Sequence, residues 1–325
     1  MPRLSILIPF AGDVEPFEST LASVLQHRPE HCEVLVAHAG QYDDPYALAG
    51  EVEFVAQGPQ ASIVDLLNAG LEVAKGEVLH ILRPGAQLEE GWCDAAVPCF
   101  DDPTIGSAAP LIVQAANHEK TVAYGVHYGI GGQRRVVGAG AKVSARNLQR
   151  ARVLGPTLTA AFYRTDTLLA LNGFDAALGD HLADIDIALA LQALGCGCQF
   201  LPQSRIRWEG SLATPATFAS GRRAERLFWR HRKRHGSIAR LLLHPLAVAA
   251  STVTTLPNLG ALTQLFGRAI ACCEFGTARH YEKRIVEALD SCDLDNEVNT
   301  LSLSRRPTST DAQQTPHQKS QRRAA

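Results

Sequence analysis

The chain has 325 residues, 46% of them hydrophobic, and its 31 basic and 33 acidic side chains leave a formal charge of −2. That is enough apolar material for one large core or two smaller ones, and the charge balance excludes a polyanion binder acting through bulk electrostatics, so any basic partner surface must be local. Eight cysteines, none spaced C-x-x-C, are too sparse for a disulfide scaffold; reduced thiols in a cytoplasmic protein are expected.

The opening "MPRLSILIPF" has too short an apolar run for a signal peptide and is read as a first strand over 4–10, ending at Pro9 and Gly12. Phe17, Leu21, Val24 and Leu25 follow at helical spacing, so residues 17–28 are expected to form an amphipathic helix with Pro16 at its first position. His27, His31 and Cys32 in "HRPEHC" fall short of the four ligands of a closed zinc site and are read as an exposed helix end. "EVLVAHA" (33–39) is the second strand and "EFVAQ" (53–57) the third. A helix is expected over 61–75 with Gly76 as its stop, then a fourth strand, "EVLHIL" (77–82). Glu89 and Glu90 are read as the start of a surface helix.

Such alternation predicts an α/β fold, a mostly parallel, Rossmann-like sheet with helices on both faces. Ligands then bind beyond the carboxyl ends of the strands, here Pro9–Gly12, His38–Asp43 and Arg83–Ala86. In "YGIGGQRR" no helix pattern follows the glycines, so a turn between two short strands is favoured over a dinucleotide loop. A strand-like "LTAAFYR", a turn at "LNGFD", a helix over 181–194 and a strand "CQFLP" complete the pattern. A basic helix is expected over 221–235, then a helical extension over 236–302. The polar tail from 303 is expected to be disordered.

These pieces, in this order, resemble the family 2 glycosyltransferases, whose fold is termed GT-A. The likeness rests on "LSILIPF…LASVLQ" with Ser23 and Gln26, on "VAHAGQYDD", on "LNAGLEVAKGEVLHIL", and on "NGFDAALGDHLADIDIALALQALGC" followed by "CQFLPQSRIRW". It covers residues 4–235 and implies a GT-A domain over 1–235. The resemblance implies inverting transfer of a sugar from a nucleotide sugar to a saccharide or lipid-linked acceptor, in glycan or polysaccharide biosynthesis. An acceptor hydroxyl attacks the anomeric carbon, a carboxylate takes its proton, and a positive group neutralises the departing diphosphate.

Carried over residue by residue, the resemblance makes Asp184 the catalytic base and puts Asp180 and Trp208 on the acceptor side. Pro9, Phe10, His38, Gly40, Asp43, Asn68 and Arg83 form the nucleotide-sugar side. The family's usual magnesium or manganese ion is held by an Asp-x-Asp pair. Here Arg83, Pro84 and Gly85 stand in that place, so no metal ligand is identified. His38 replaces an aspartate, Ala183 a glutamate, and Trp208 a histidine. On a helix, Asp184 shares a face with Asp180, while Asp186 points away; the plain alternative is that the aspartates serve the helix amino end. Arg83 is either a guanidinium that forks onto the diphosphate or a solvated loop residue at a disused site.

The arginines of 221–235 are open to three readings besides a solvated face: diphosphate neutralisation, an acidic membrane surface, or, ranked last, nucleic acid. The stretch 241–266, broken by His244, Pro245 and Pro257, raises peripheral contact with the inner face of a membrane through 222–266. A non-catalytic relative binding a glycan, a nucleotide or a partner enzyme is the alternative to an enzyme. A nucleotidyltransferase is a third reading, set back because "PFAGDVEPF" carries no lysine or arginine.

Overall fold

The computed structural model describes residues 2–40, 42, 44–232, 238–256, 260–272, 274, 281 and 283–291. Asp43, Gln41, residues 233–237 and the tail from 303 lie outside these, so the readings placed on them are not addressed further.

The amino-terminal half follows the alternation in the sequence. Strand β1 (Leu4–Phe10) is buried along its whole length, as an apolar run covered on both faces must be. Helix α1 (Val14–His27) lays Phe17, Leu21 and Val24 on the sheet. It starts three residues before the expected 17, so Pro16 sits inside its first turn, where a missing N–H still costs no helix bond. Strand β2 (Cys32–His38) and strand β3 (Glu53–Ala56) follow, then helix α2 (Ile63–Val73), closed at its start by a reciprocal Ser62–Asp65 capping box. Gly76 is not the left-handed helix stop that was expected. A Cβ there would lie 2.6 Å from the backbone nitrogen of Ser5, so glycine is required by the close approach of the chain to β1.

Strand β4 (Val78–Leu82) turns at Arg83–Gly85 into the short β5 (Ala86–Leu88). Glu89 and Glu90 occupy a turn, not a helix start; the next helix, α3, spans only Ala96–Cys99. Then come β6 (Ile105–Gln114), β7 (Asn117–Ala123) and a separate hairpin, β8 (Gly125–Tyr128) with β9 (Arg134–Val137). The hairpin fits the two strands anticipated around "YGIGGQRR". After a short α4 (Ala145–Arg150), strand β10 (Ala160–Arg164) and helix α5 (Thr165–Ala170) lead to helix α6 (Asp180–Ala193) and strand β11 (Gly197–Trp208). Helices α7 (Phe218–Arg230), α8 (Ile238–Thr255) and α9 (Gly260–Ala271) follow.

The main sheet runs β3-β2-β1-β4-β10-β6-β11-β5, with β7 added beside β6. Strands β3, β2, β1 and β4 pair in parallel, and β6 and β11 run the same way on the far side of the antiparallel β10. The sheet is therefore mostly parallel. One core under α1 and α3 holds Phe17, Trp92 and Phe162; the other, under α2, α5 and α6, holds Leu35, Leu67 and Tyr163. Helices thus cover both faces. From β1 the chain steps outward through β2 and β3, then returns to place β4 on the other side. The crevice beyond the ends of β1 and β4 is the topological switch point of the sheet, the place where open α/β sheets bind ligands.

Candidate active site

A cavity of about 460 Å³ opens at that switch point. Pro9 and Phe10 come from the end of β1, Arg83 from the end of β4, Asp180 from the start of α6 and Trp208 from the end of β11. Five residues singled out in the sequence, more than 190 positions apart at the extremes, share one wall.

Arg83 is held at both ends. Its backbone N–H donates to the Thr159 carbonyl at 2.9 Å, and its Nη1 donates to Asp180 Oδ2 at 3.0 Å. Both side chains remain accessible to solvent, at 30% and 27% of their surface. The turn after Arg83 needs Gly85, whose φ of +87° disfavours other residues. The Trp208 indole N–H donates to the Pro84 carbonyl at 3.3 Å, so the tryptophan closes one side of the cavity and fastens the turn.

Asp184, one helical turn beyond Asp180, has no solvent exposure. Arg134 of β9 clamps it, with Nε 2.9 Å and Nη2 2.8 Å from Oδ2, while Arg134 Nη1 donates to the Leu212 carbonyl at 3.0 Å. Burial raises the Asp184 pKa above the ordinary carboxylate value, and Arg134 opposes that rise. Arg134 also lines the cavity, so its guanidinium stands between Asp184 and the open space. Asp186 faces the opposite side of α6 and contributes nothing to this wall. It is buried against Arg230, His231 and Arg284, which hold its pKa well below the usual range against the cost of burial.

The other candidates lie elsewhere. His38, at the end of β2, is buried with Nδ1 against the Gly40 carbonyl; neither residue lines this cavity. Asn68 is committed to structure: its Nδ2 donates to the Phe174 carbonyl and its Oδ1 accepts from the Phe174 N–H, both at 2.8 Å. That double bond pins the "NGFD" turn to α2 and leaves the amide little capacity for a nucleotide. Conversely, the sequence reading did not single out Arg134, Thr159 or His181, all of which reach the wall. His181 follows Asp180 directly, and His beside Asp at a helix start was available as a signal; Arg134 arrives only through the packing of the hairpin.

A divalent ion does not fit this donor set. The turn at 83–86 offers Arg, Pro, Gly and Ala, and the described residues contain no group of three His, Cys, Asp or Glu side chains placed to hold a metal. Of the two carboxylates that line the cavity, Asp13 and Asp180, the latter is already engaged by Arg83.

Three arginines of the basic helix are spent on carboxylates. Arg222 and Arg226 both bond Glu274, and Arg230 bonds Asp175 and Asp186. Phe228 stacks on His244, with ring centroids 3.5 Å apart, and His244 bonds Glu225.

No family model matches the sequence. Over 233 residues the chain is 25% identical to an uncharacterized protein of Mycobacterium tuberculosis, an alignment covering 66% of this chain and 70% of that one. Among solved structures, GalNAc-T7 with UDP, GalNAc and Mn2+ superposes with a TM-score of 0.54 at 16% identity, over 70% of this chain. The chain spans 47% of the length of that protein. The mannosyltransferase PcManGT from Pyrobaculum calidifontis, in complex with GDP-Man and Mn2+, superposes with a TM-score of 0.50 at 16% identity, over 89% of this chain and 85% of its own. The sheet order, the helices on both faces and these superpositions identify the fold as that of the GT-A-type glycosyltransferases.

Proposed function

We propose that the protein is a glycosyltransferase that binds a nucleoside diphosphate sugar at the switch-point cavity and transfers the sugar with inversion to a saccharide or lipid-linked acceptor, in glycan assembly. The observation that carries this reading is the position of Arg83. It projects from the end of β4 into the crevice that also receives Pro9, Phe10 and Asp180, with its guanidinium accessible. The similar proteins named above were solved with UDP or GDP-Man, which supports a nucleotide-sugar ligand here.

In this reading Arg83 forks onto the diphosphate, meeting the negative charge that grows as the anomeric C–O bond breaks. The acceptor hydroxyl forms the new bond and gives its proton to a carboxylate. Asp184 holds the position that the resemblance gives to the base, but Arg134 covers it. Asp180, on the same face of α6, lines the cavity and has the access that Asp184 lacks; Asp13, ahead of α1, also lines it. Asp184 then serves by holding Arg134 in place. Trp208 shapes the acceptor side. His38, Gly40 and Asn68 stand back from the diphosphate, and their contribution is to the shape of the strand ends. The protein works in the cytoplasm, at or near the inner face of a membrane.

A binding protein without turnover is the second reading. The complete burial of Asp184 and the pairing of Arg83 and Arg134 with carboxylates favour it. Titration with UDP, GDP and their sugars, in EDTA and in manganese, tests the shared premise; no binding to any of them contradicts both nucleotide readings. Sugar transfer abolished by Asp180→Asn with ligand binding retained establishes the enzyme. Binding without transfer by the wild type establishes the alternative.

A further inference from the structure

A second cavity, of about 1240 Å³, lies between the β8–β9 hairpin, α6, α7 and α8, away from the switch point. Among the described residues no aspartate or glutamate lines it. Arg135 and Arg152 stand on its wall, both exposed, and neither side chain has a hydrogen bond or ion pair with any described residue. This is the reverse of α7 and of the first cavity, where arginine after arginine meets a carboxylate. Two unneutralised guanidiniums over an apolar floor that includes Val153 and Leu189 suit an anion with a nonpolar continuation.

The hairpin adds a polar group. The Gln133 side chain folds over Gly129 and Gly131, where a Cβ would come within 2.6 Å and 2.3 Å of it, so the glycines are needed to seat this amide. Gln133 lines the cavity, and its buried Oε1 accepts from no described donor. A ligand hydroxyl would satisfy it.

Helix α8 says where the nonpolar part goes. Ala247, Ala250 and Thr254 form one stripe of the helix and line the cavity. Leu242, Leu246 and Val253 form the neighbouring stripe and are 69%, 66% and 64% exposed. Among the described residues no helix is long and apolar enough to cross a membrane, so these side chains address a surface and do not span it.

We infer that this cavity binds the phosphate of an anionic lipid with a hydroxylated head group. Arg135 and Arg152 hold the phosphate, Gln133 accepts from the head-group hydroxyl, and the acyl chains lie along Leu242, Leu246 and Val253. The protein thereby docks on an anionic bilayer through α8, and the arginines of α7 are not the contact.

The test is co-sedimentation of the full chain with phosphatidylcholine vesicles containing or lacking phosphatidylglycerol, without any nucleotide, so that it stands or falls apart from the proposed transferase activity. The wild type is expected on the phosphatidylglycerol vesicles alone. Arg135→Gln with Arg152→Gln is expected to weaken that binding about tenfold or more, and Leu246→Ser with Val253→Ser to weaken it comparably. All four side chains are exposed, so melting temperatures should hold, and Arg222→Gln should leave binding within about twofold of wild type. Absence of wild-type binding, or arginine variants that bind like wild type, overturns the inference. So does saturation by inorganic phosphate with no affinity for vesicles, which would make this a site for free phosphate.

Discussion

The wall of the first cavity and helix α7 are the two arginine-rich regions nearest the proposed chemistry, and they use the same residue differently. On α7, Arg230 lies against Asp175 and the buried Asp186, and Arg222 and Arg226 grip Glu274; these charges are consumed in fastening α7 to its neighbours. At the cavity, Arg83 keeps almost a third of its side chain in solvent and its partner Asp180 a similar share. Arg134 is intermediate: it faces the cavity yet is spent on Asp184. The carboxylates that hold Arg230 and Arg134, Asp186 and Asp184, are buried, whereas Asp180 is partly solvated, a difference that composition does not report.

Breaking the fastener should have the largest effect. Asp186→Ala leaves Arg230, His231 and Arg284 facing a buried void, and unfolding should become easier by about 3–5 kcal/mol, read as a fall in denaturation midpoint. Arg134→Met strands Asp184 in the same way, at about 3 kcal/mol near pH 7. Because burial already raises the Asp184 pKa, the stranded carboxyl will protonate readily. The deficit should therefore shrink as the pH is lowered toward 4, and adding Asp184→Leu should restore much of the loss.

A buried histidine sharpens the contrast from within the sheet. His80 stacks on Phe162 beside Trp92, has no solvent exposure, and its pKa is pushed down from 6.5 to about 3 by burial. Below pH 6.5 the unfolded chain takes a proton that the folded one refuses, so stability should fall by about 1.4 kcal/mol per pH unit from this group. His80→Leu should flatten that slope in denaturant titrations repeated across pH. The smallest stability effect is expected at the cavity: Arg83→Ala should cost about 1 kcal/mol or less, since its ion pair is partly solvated.

Much of the sheet was legible because buried parallel strands such as "LSILIPF" read as unbroken apolar runs, and because α1 repeats its apolar residues at helical spacing. Strand β6 was not, since "IGSAAPLIVQ" mixes small residues with Pro110 and gives no clean period, although almost all of it is buried. Of the site, Pro9, Phe10, Arg83, Asp180 and Trp208 were legible because the strand ends and helix starts that carry them could be placed. The bonds of Asn68 to Phe174 were not legible, because an amide serves a backbone turn as well as it serves a ligand. The cover that Arg134 puts over Asp184 was invisible, because it depends on how a hairpin packs against a helix 50 residues away.

The central claim is that Arg83, and not a metal, receives the diphosphate. Calorimetric titration of wild type and Arg83→Ala with UDP, GDP, uridine and guanosine, all in EDTA, addresses it directly. The account predicts that a diphosphate binds the wild type more tightly than its nucleoside, and that Arg83→Ala loses about 10- to 100-fold for the diphosphate with nucleoside affinity unchanged. Diphosphate binding that requires manganese, or that is indifferent to Arg83, would contradict it.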